Sequence, residues 1–344
     1  MKPNITLDEV TIHFPDDGLI SLNDDYFVDK DIWVKKTGVV IKEYSVLNFG
    51  RDFKKPLGIK NIIYDKSKRE LKFHLTAKAL KSGYKKHISI ETQNDLLNSV
   101  NDSGLIEIDI KRVKETATVS ALDLVRDVHI CKPPENYLRD LRLLGTIKNF
   151  RLKNHHSGIE FYSEAKSNKQ RMVIYSKYEQ LSTKKIAKTE LLKYVNKEDF
   201  RDTLRIEANL RHPDLIRKNF NIEKNEDIML SRVLNYETNV LANYFNSMWP
   251  PLKLKKSFED IWDLKISPSE FAKKLGMRNI IEMCGFNRNN IRAYLKTKLE
   301  GKKNPSHYMR DYDKEMLIMK AEILGEKTDA ECIEELRKKL QEVV

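Results

Sequence analysis

Residues 120–130 read SALDLVRDVHI, and the alternation in this stretch decides the fold. Successive side chains of a strand point to opposite faces. Asp123, Asp127 and His129 therefore share one face with Ala121 and Val125, while Leu122, Leu124, Val128 and Ile130 share the other. A helix, turning about 100° per residue, would mix the two sets. Two more stretches repeat the pattern. In RMVIYSKYEQ, residues 171–180, Arg171, Val173, Tyr175, Lys177 and Glu179 alternate with Met172, Ile174 and Tyr178. In TLRIEANLR, residues 203–211, Arg205, Glu207, Asn209 and Arg211 alternate with Leu204, Ile206, Ala208 and Leu210. Three such strands predict an antiparallel sheet with one apolar and one charged side.

Outward from these strands, short alternating segments dominate up to about residue 212. Strands are expected at Glu9–Phe14 and His87–Glu91, with a hairpin of Asn61–Tyr64 and Glu70–Ala77 around Asp65-Lys66-Ser67-Lys68. Gly158–Tyr178 forms a further expected hairpin. A helix is expected over Gln93–Val100 with Thr92 as its N-cap. Beyond residue 212 the apolar spacing becomes helical: Cys332, Ile333, Leu336 and Leu340 share one side of a closing helix that Thr328 would cap. Ser267–Leu275, Arg278–Cys284 and Asn289–Leu299 read as three short helices broken by Gly276 and Gly285, a spacing compatible with a helix-turn-helix or an ordinary bundle. The fold class is α+β, with a sheet-based part over residues 1–225 and a mainly helical part over 226–344.

Lysine and arginine number 63 against 51 aspartates and glutamates, a net charge of +12 spread along the chain. That balance favours a polyanionic partner. Cys131, Cys284 and Cys332 are too far apart for a disulfide framework or zinc knuckle, which fits a reducing cytoplasm. No signal-peptide pattern opens the chain and no run reaches the length of a membrane span. Glycines stand singly and form no Walker-type loop, so nucleotide binding of that kind is not expected.

The charged faces carry chemistry. Two carboxylates and an imidazole, Asp123, Asp127 and His129, can bind a hard cation such as Mg²⁺ or Mn²⁺, and Glu207 could complete the set. A phenol such as Tyr175 can attack a phosphodiester, with the ammonium of Lys177 stabilising phenolate or phosphate charge. Lys166, Lys169, Arg171, Arg205 and Arg211 are placed to hold phosphates. On the last of the three short helices Arg288, Arg292 and Lys296 stand four apart and line one face suited to duplex DNA. The same residues also read as polar strands facing water, a packed tyrosine, a cross-strand salt-bridge ladder and a solvated basic helix.

In combination the pieces are more specific. KSNKQRMVIYSKYEQL resembles the YxK motif of the replication initiators of filamentous phages, the gene II product class, and of small rolling-circle plasmids. LRIEANLRHPDLIRK is similar to their RFE-type strand and following helix, SALDLV to their RID-type strand, and LDEVTIHFP to their first strand. The resemblance covers about residues 6–225. It implies an HUH-like antiparallel sheet, Tyr175 as a nucleophile forming a 5′-phosphotyrosine, Lys177 beside it, and a metal held by Asp123 with Glu207. Ala121 stands where that family carries arginine, and no His-apolar-His pair is present, so the resemblance implies carboxylates in its place, with His129, His155 and His156 as further candidates. The implied partners are origin DNA, a host helicase and polymerase, with no membrane and a homodimer as one arrangement. Two other readings share these residues: a DNA-binding regulator without chemistry, and a mobilisation relaxase that nicks for transfer.

Overall fold

The computed structural model describes residues 5–33, 40–48, 55–144, 150–163, 170–183, 186, 190–249, 268–284, 288–298 and 330–342. The strands in chain order are β1 (Leu7–Pro15), β2 (Leu19–Leu22), β3 (Phe27–Trp33), β4 (Val40–Leu47), β5 (Ile59–Asp65) and β6 (Glu70–Thr76). They continue as β7 (Ile106–Ile108), β8 (Thr118–His129), β9 (Phe150–His155), β10 (Gly158–Ser163), β11 (Gln170–Ser176) and β12 (Thr203–Leu210). Ten of them form one antiparallel sheet in the order β3-β4-β5-β6-β1-β8-β12-β11-β10-β9, and β2 pairs with β7. The helices are α1 (Gln93–Asn101), α2 (Ile110–Thr116), α3 (Pro134–Leu144), α4 (Lys177–Leu181) and α5 (Pro213–Phe220). After these come α6 (Leu230–Leu234), α7 (Val240–Met248), α8 (Pro268–Met283), α9 (Arg288–Lys298) and α10 (Ala330–Gln341). The protein is α+β, as the strand alternation followed by helical spacing requires.

The apolar face of the central strands is fully packed. Leu122 and Leu124 of β8, Ile206 and Leu210 of β12, and Met172 and Ile174 of β11 are each at most 1% exposed. Each such side chain contributes roughly 1.5–3 kcal/mol by leaving water. The hairpin β5–β6 forms as its turn residues require, with Asp65 opposite Glu70.

Four expectations need correction. His87–Glu91 is no strand: a single bridge joins Ile88 to Leu7, because His87 adopts φ +55° and breaks the extended run. Thr92 stands at the N-cap of α1 as expected, but its hydroxyl makes no capping bond to the helix, because it donates to the His87 carbonyl at 2.6 Å and accepts from the Ser89 amide at 2.9 Å. The strand carrying Tyr175 stops at Ser176, whose side chain accepts from the Glu179 amide and so starts α4 at Lys177. The helices expected at Ser267–Leu275 and Arg278–Cys284 are one helix, α8, running through Gly276. A mid-helix glycine costs about 1 kcal/mol, and the apolar stripe of Met277, Ile281 and Cys284, packed with Ile291 and Leu295 of α9, outweighs it.

The chain divides into two compact units, one of Met1–Pro134, Phe150–Tyr244 and Lys338–Val344, the other of Glu135–Asn149 and Phe245–Arg337. In α10, Cys332, Ile333, Leu336 and Leu340 are buried on one side as their spacing predicts, while Thr328 lies outside the described residues. Among the described residues no helix is long and apolar enough to cross a membrane.

Candidate active site

The register of three strands assembles the site. Arg205 of β12 lies between Tyr175 of β11 and Asp127 of β8, and Asn209 stands opposite Asp123. The odd-numbered residues of these strands thus share the charged side of the sheet. Tyr175 Oη donates to Glu207 Oε1 at 2.6 Å. Arg205 forks onto Asp127, with Nε 2.6 Å from Oδ1 and Nη2 2.7 Å from Oδ2. Its remaining nitrogen, Nη1, donates to Asp8 Oδ1 at 3.0 Å and to Tyr84 Oη at 2.7 Å. Lys177, although it begins a helix, turns back into the same cluster. Its Nζ donates to Tyr84 Oη at 2.6 Å and Gln180 Oε1 at 2.8 Å, and stands 5.7 Å from the Tyr175 ring centroid.

Burial sets the proton affinities. Tyr175 is 8% exposed, Lys177 2% and Arg205 0%, whereas Asp8, Asp127 and Glu207 are partly exposed. Burial and then the Glu207 carboxylate push the Tyr175 phenol well above its ordinary value. Burial and then Asp8 raise Glu207, against the opposing pull of Arg205 and the Tyr175 hydrogen bond. Lys177 is lowered by burial and by Arg205. Burial would raise Asp127, but Arg205 and His87 hold its carboxyl well below the usual range. A phenol this reluctant to ionise can act as a nucleophile only if its proton leaves as its oxygen attacks. Glu207, in contact and with raised proton affinity, is the group placed to take it.

A second cluster lies along the same side. Arg211 bridges Glu9 Oε1 at 2.7 Å and Asp123 Oδ2 at 2.5 Å, and Glu9 also meets His74 Nε2 at 2.5 Å and the Lys60 ammonium. Burial pushes the Asp123 carboxyl up to about 7 against Arg211. Asp8, Glu9, His74, Tyr84 and His87 also belong to these two clusters, although no alternation in the sequence marks them. An irregularity in the β1–β8 register between Leu7 and Glu9 lets two consecutive acids, Asp8 and Glu9, reach Arg205 and Arg211. Strict alternation would have sent one of them to the core. The acidic doublet in LDEVTIHFP was the only visible signal.

The other expected site residues are dispersed. His129 is exposed at the end of β8, His155 pairs with Glu160 at 2.7 Å, and His156 is exposed. Arg171 binds Glu160 at 2.9 Å. Arg292 and Lys296 are exposed on α9, and Lys166 and Lys169 lie outside the described residues. As placed, Asp123, Asp127, Glu207 and His129 do not fit one divalent cation. Asp127 is already clamped by Arg205 and Asp123 by Arg211, so protein cations occupy the positions a metal would neutralise. Among the described residues no group of three or more His, Cys, Asp or Glu could hold a metal ion.

The chain matches no protein-family model and no curated protein. Among solved structures it is similar to a rolling circle replication initiator protein from Geobacillus stearothermophilus. The identity is 13% and the TM-score 0.31, over 71% of this chain and 94% of that one.

Proposed function

We propose that this chain is a DNA nicking and joining enzyme that opens an origin for rolling-circle replication, with Tyr175 as nucleophile and Glu207 as its proton acceptor. The observation that carries this reading is the 2.6 Å hydrogen bond from Tyr175 to Glu207, beside two buried cations, Lys177 and Arg205. Tyr175 Oη attacks the scissile phosphorus while its proton passes to Glu207. The bond from phosphorus to the 3′-oxygen breaks, and that oxygen takes a proton from solvent. Lys177 and Arg205 lower the cost of the extra negative charge on the phosphoryl oxygens. The phosphotyrosine keeps the bond energy, so a later 3′-hydroxyl can displace Tyr175 and reseal the strand, with Glu207 returning the proton.

The test is incubation of the full chain with 3′-labelled single-stranded oligonucleotides tiling the DNA that encodes it, in parallel with Mg²⁺, Mn²⁺ and EDTA. The expected result is a covalent adduct mapped by mass spectrometry to Tyr175. No adduct with any oligonucleotide, or an adduct on Tyr178, would overturn the reading. One observation favours a DNA-binding regulator instead, the 8% exposure of Tyr175. A regulator would bind DNA and give no adduct in any arm.

A further inference from the structure

We propose that Tyr84 and His87, on the segment that crosses the charged side of the sheet, are positioning residues that hold Lys177, Arg205 and Asp127 in place around Tyr175 and Glu207. The inference deepens the nicking reading and rests on it for its catalytic consequence. Its structural part stands alone.

Lys177 and Arg205 are both buried and repel each other; each depends on acceptors near the other. Tyr84 supplies one oxygen to both, at 2.6 Å from Lys177 Nζ and 2.7 Å from Arg205 Nη1. Both cations lie 5.1 Å from the Tyr84 ring centroid. With such short contacts to the hydroxyl, that distance places them beside the oxygen at the ring edge and not over the ring face. The phenol is itself 0% exposed, and burial pushes its proton affinity far above the ordinary value, so it remains a neutral acceptor. A neutral oxygen between two cations accepts from both without adding a charge that would need its own counterion.

His87 completes the arrangement three residues later. Its Nε2 is 3.2 Å from Asp127 Oδ2, the oxygen that also receives Arg205 Nη2. Among the described residues neither ring nitrogen has a hydrogen-bond partner, so Nε2 meets Asp127 as a close electrostatic contact, and the residue is 4% exposed. The backbone there has φ +55° and ψ −178°, a region that is essentially glycine's and costs a side chain roughly 1–3 kcal/mol. The strain is held from both sides. The His87 amide donates to the Tyr84 carbonyl at 3.1 Å, and the next residue, Ile88, exchanges hydrogen bonds of 2.8 and 2.9 Å with Leu7, beside the irregularity that aims Asp8 at Arg205. Glycine would relieve that strain. A histidine in its place indicates that the imidazole on Asp127 is needed.

Two substitutions separate side chain from scaffold. Tyr84→Phe keeps the ring and removes the shared acceptor, while His87→Gly removes the imidazole and leaves the backbone free to keep its conformation. The groups facing Lys177 are Asp8, Tyr84, Asp127, Tyr175, Arg205 and Glu207. Losing the Tyr84 acceptor disfavours the charged ammonium, so in lysine-labelled full-length protein the ¹³Cε titration of Lys177 should move down by about one pH unit in Tyr84→Phe. Its resonance is identified by its absence from Lys177→Arg. With the oligonucleotide that wild type cuts, kcat should fall at least about tenfold in both variants with KM changed less than about twofold, the pattern of a lost transition-state interaction. A Lys177 titration that superimposes on wild type, together with unchanged kcat, overturns the role of Tyr84. An unchanged kcat in His87→Gly overturns that of His87. If wild type cuts no DNA while Lys177 still moves in Tyr84→Phe, the positioning stands and the nicking reading alone falls.

Discussion

Arg205 has more partners than any other side chain in the cluster, and none of its surface is exposed. Its planar fork matches the Asp127 carboxylate, and the remaining nitrogen reaches Asp8 and Tyr84. Lysine offers one point charge and cannot reproduce this geometry. Arg205→Ala takes from two partly buried carboxylates, Asp8 and Asp127, the guanidinium that both bind, and a loss of about 3–5 kcal/mol in urea unfolding is expected. Tyr175→Phe is different in kind. It removes one hydrogen bond to a carboxylate that water still reaches, so stability should change by about 1 kcal/mol or less while adduct formation disappears. The same residues set a pH profile. In the proposed reaction Glu207 must be ionised to accept the proton, and its proton affinity is raised from an ordinary 4.5. Lys177 must be charged, and its affinity is lowered from an ordinary 10.5. Single-turnover adduct formation should therefore have its acid limb above pH 4.5 and its alkaline limb below pH 10.5, and Glu207→Gln should remove the acid limb along with most of the rate.

At the scale of elements, the hairpin β10–β11 fixes Tyr175, the proposed nucleophile, through backbone proximity. Gly158 pairs with Tyr175, and a Cβ at Gly158 would lie 2.3 Å from both the Tyr175 Cβ and the Ile174 carbonyl oxygen. Neither is the movable end of a side chain, so the strand itself must shift. Gly158→Ala is expected to cost about 1–3 kcal/mol in thermal unfolding and to slow adduct formation with Tyr175 chemically intact. An alanine variant with wild-type stability and rate would show that the strands separate freely there. Beside it, the turn into α4 matters as much as the strand, because Ser176 at its N-cap starts the helix that carries Lys177 back beneath Tyr175.

At the scale of the molecule, the last residues belong with the first unit. Leu340 is fully buried, and its carbonyl accepts from Arg126 Nη1 at 2.9 Å and Asn239 Nδ2 at 2.5 Å. Removing Lys338–Val344 leaves the 7%-exposed Arg126 without that acceptor and opens the core under β8. A melting temperature several degrees lower is expected, on the order of 2–5 kcal/mol for a lost buried leucine. A cut near Leu254 removes these residues too, so a test of the sheet without the second unit must retain them. The charged side also shapes acid stability. Asp127 is held well below its ordinary value by Arg205 and His87 against burial, and Glu9 by His74, Lys60 and Arg211 against burial. Depressed carboxyls contribute stability that is present above their unfolded values, near pH 4, and is lost as pH falls through the folded ones. Urea midpoints measured downward from pH 5 should fall less steeply at first in Arg205→Ala, which has already lost the Asp127 contribution.

Alternation in SALDLVRDVHI, RMVIYS and TLRIEANL was enough to define three strands, their buried faces and the class of fold, since a period of two admits one placement of each side chain against a core. It also put Tyr175 and Glu207 on the same side of the sheet, where they form a hydrogen bond. Local pattern could not reveal which strands are neighbours, because pairing joins residues far apart in the chain. The order β8-β12-β11 brings Asp127, Arg205 and Tyr175 into a row and gives the carboxylates to arginines. Nor could it reveal the irregularity that turns Asp8 and Glu9 to one side, or the crossing segment of Tyr84 and His87, whose residues carry no periodic signal. Side-chain direction within a strand follows from the chirality and pleat of a few residues and is written locally. The partners that decide whether a carboxylate is a base, a ligand or half of an ion pair come from the tertiary structure, because buried charge is stabilised only by groups that folding brings to it.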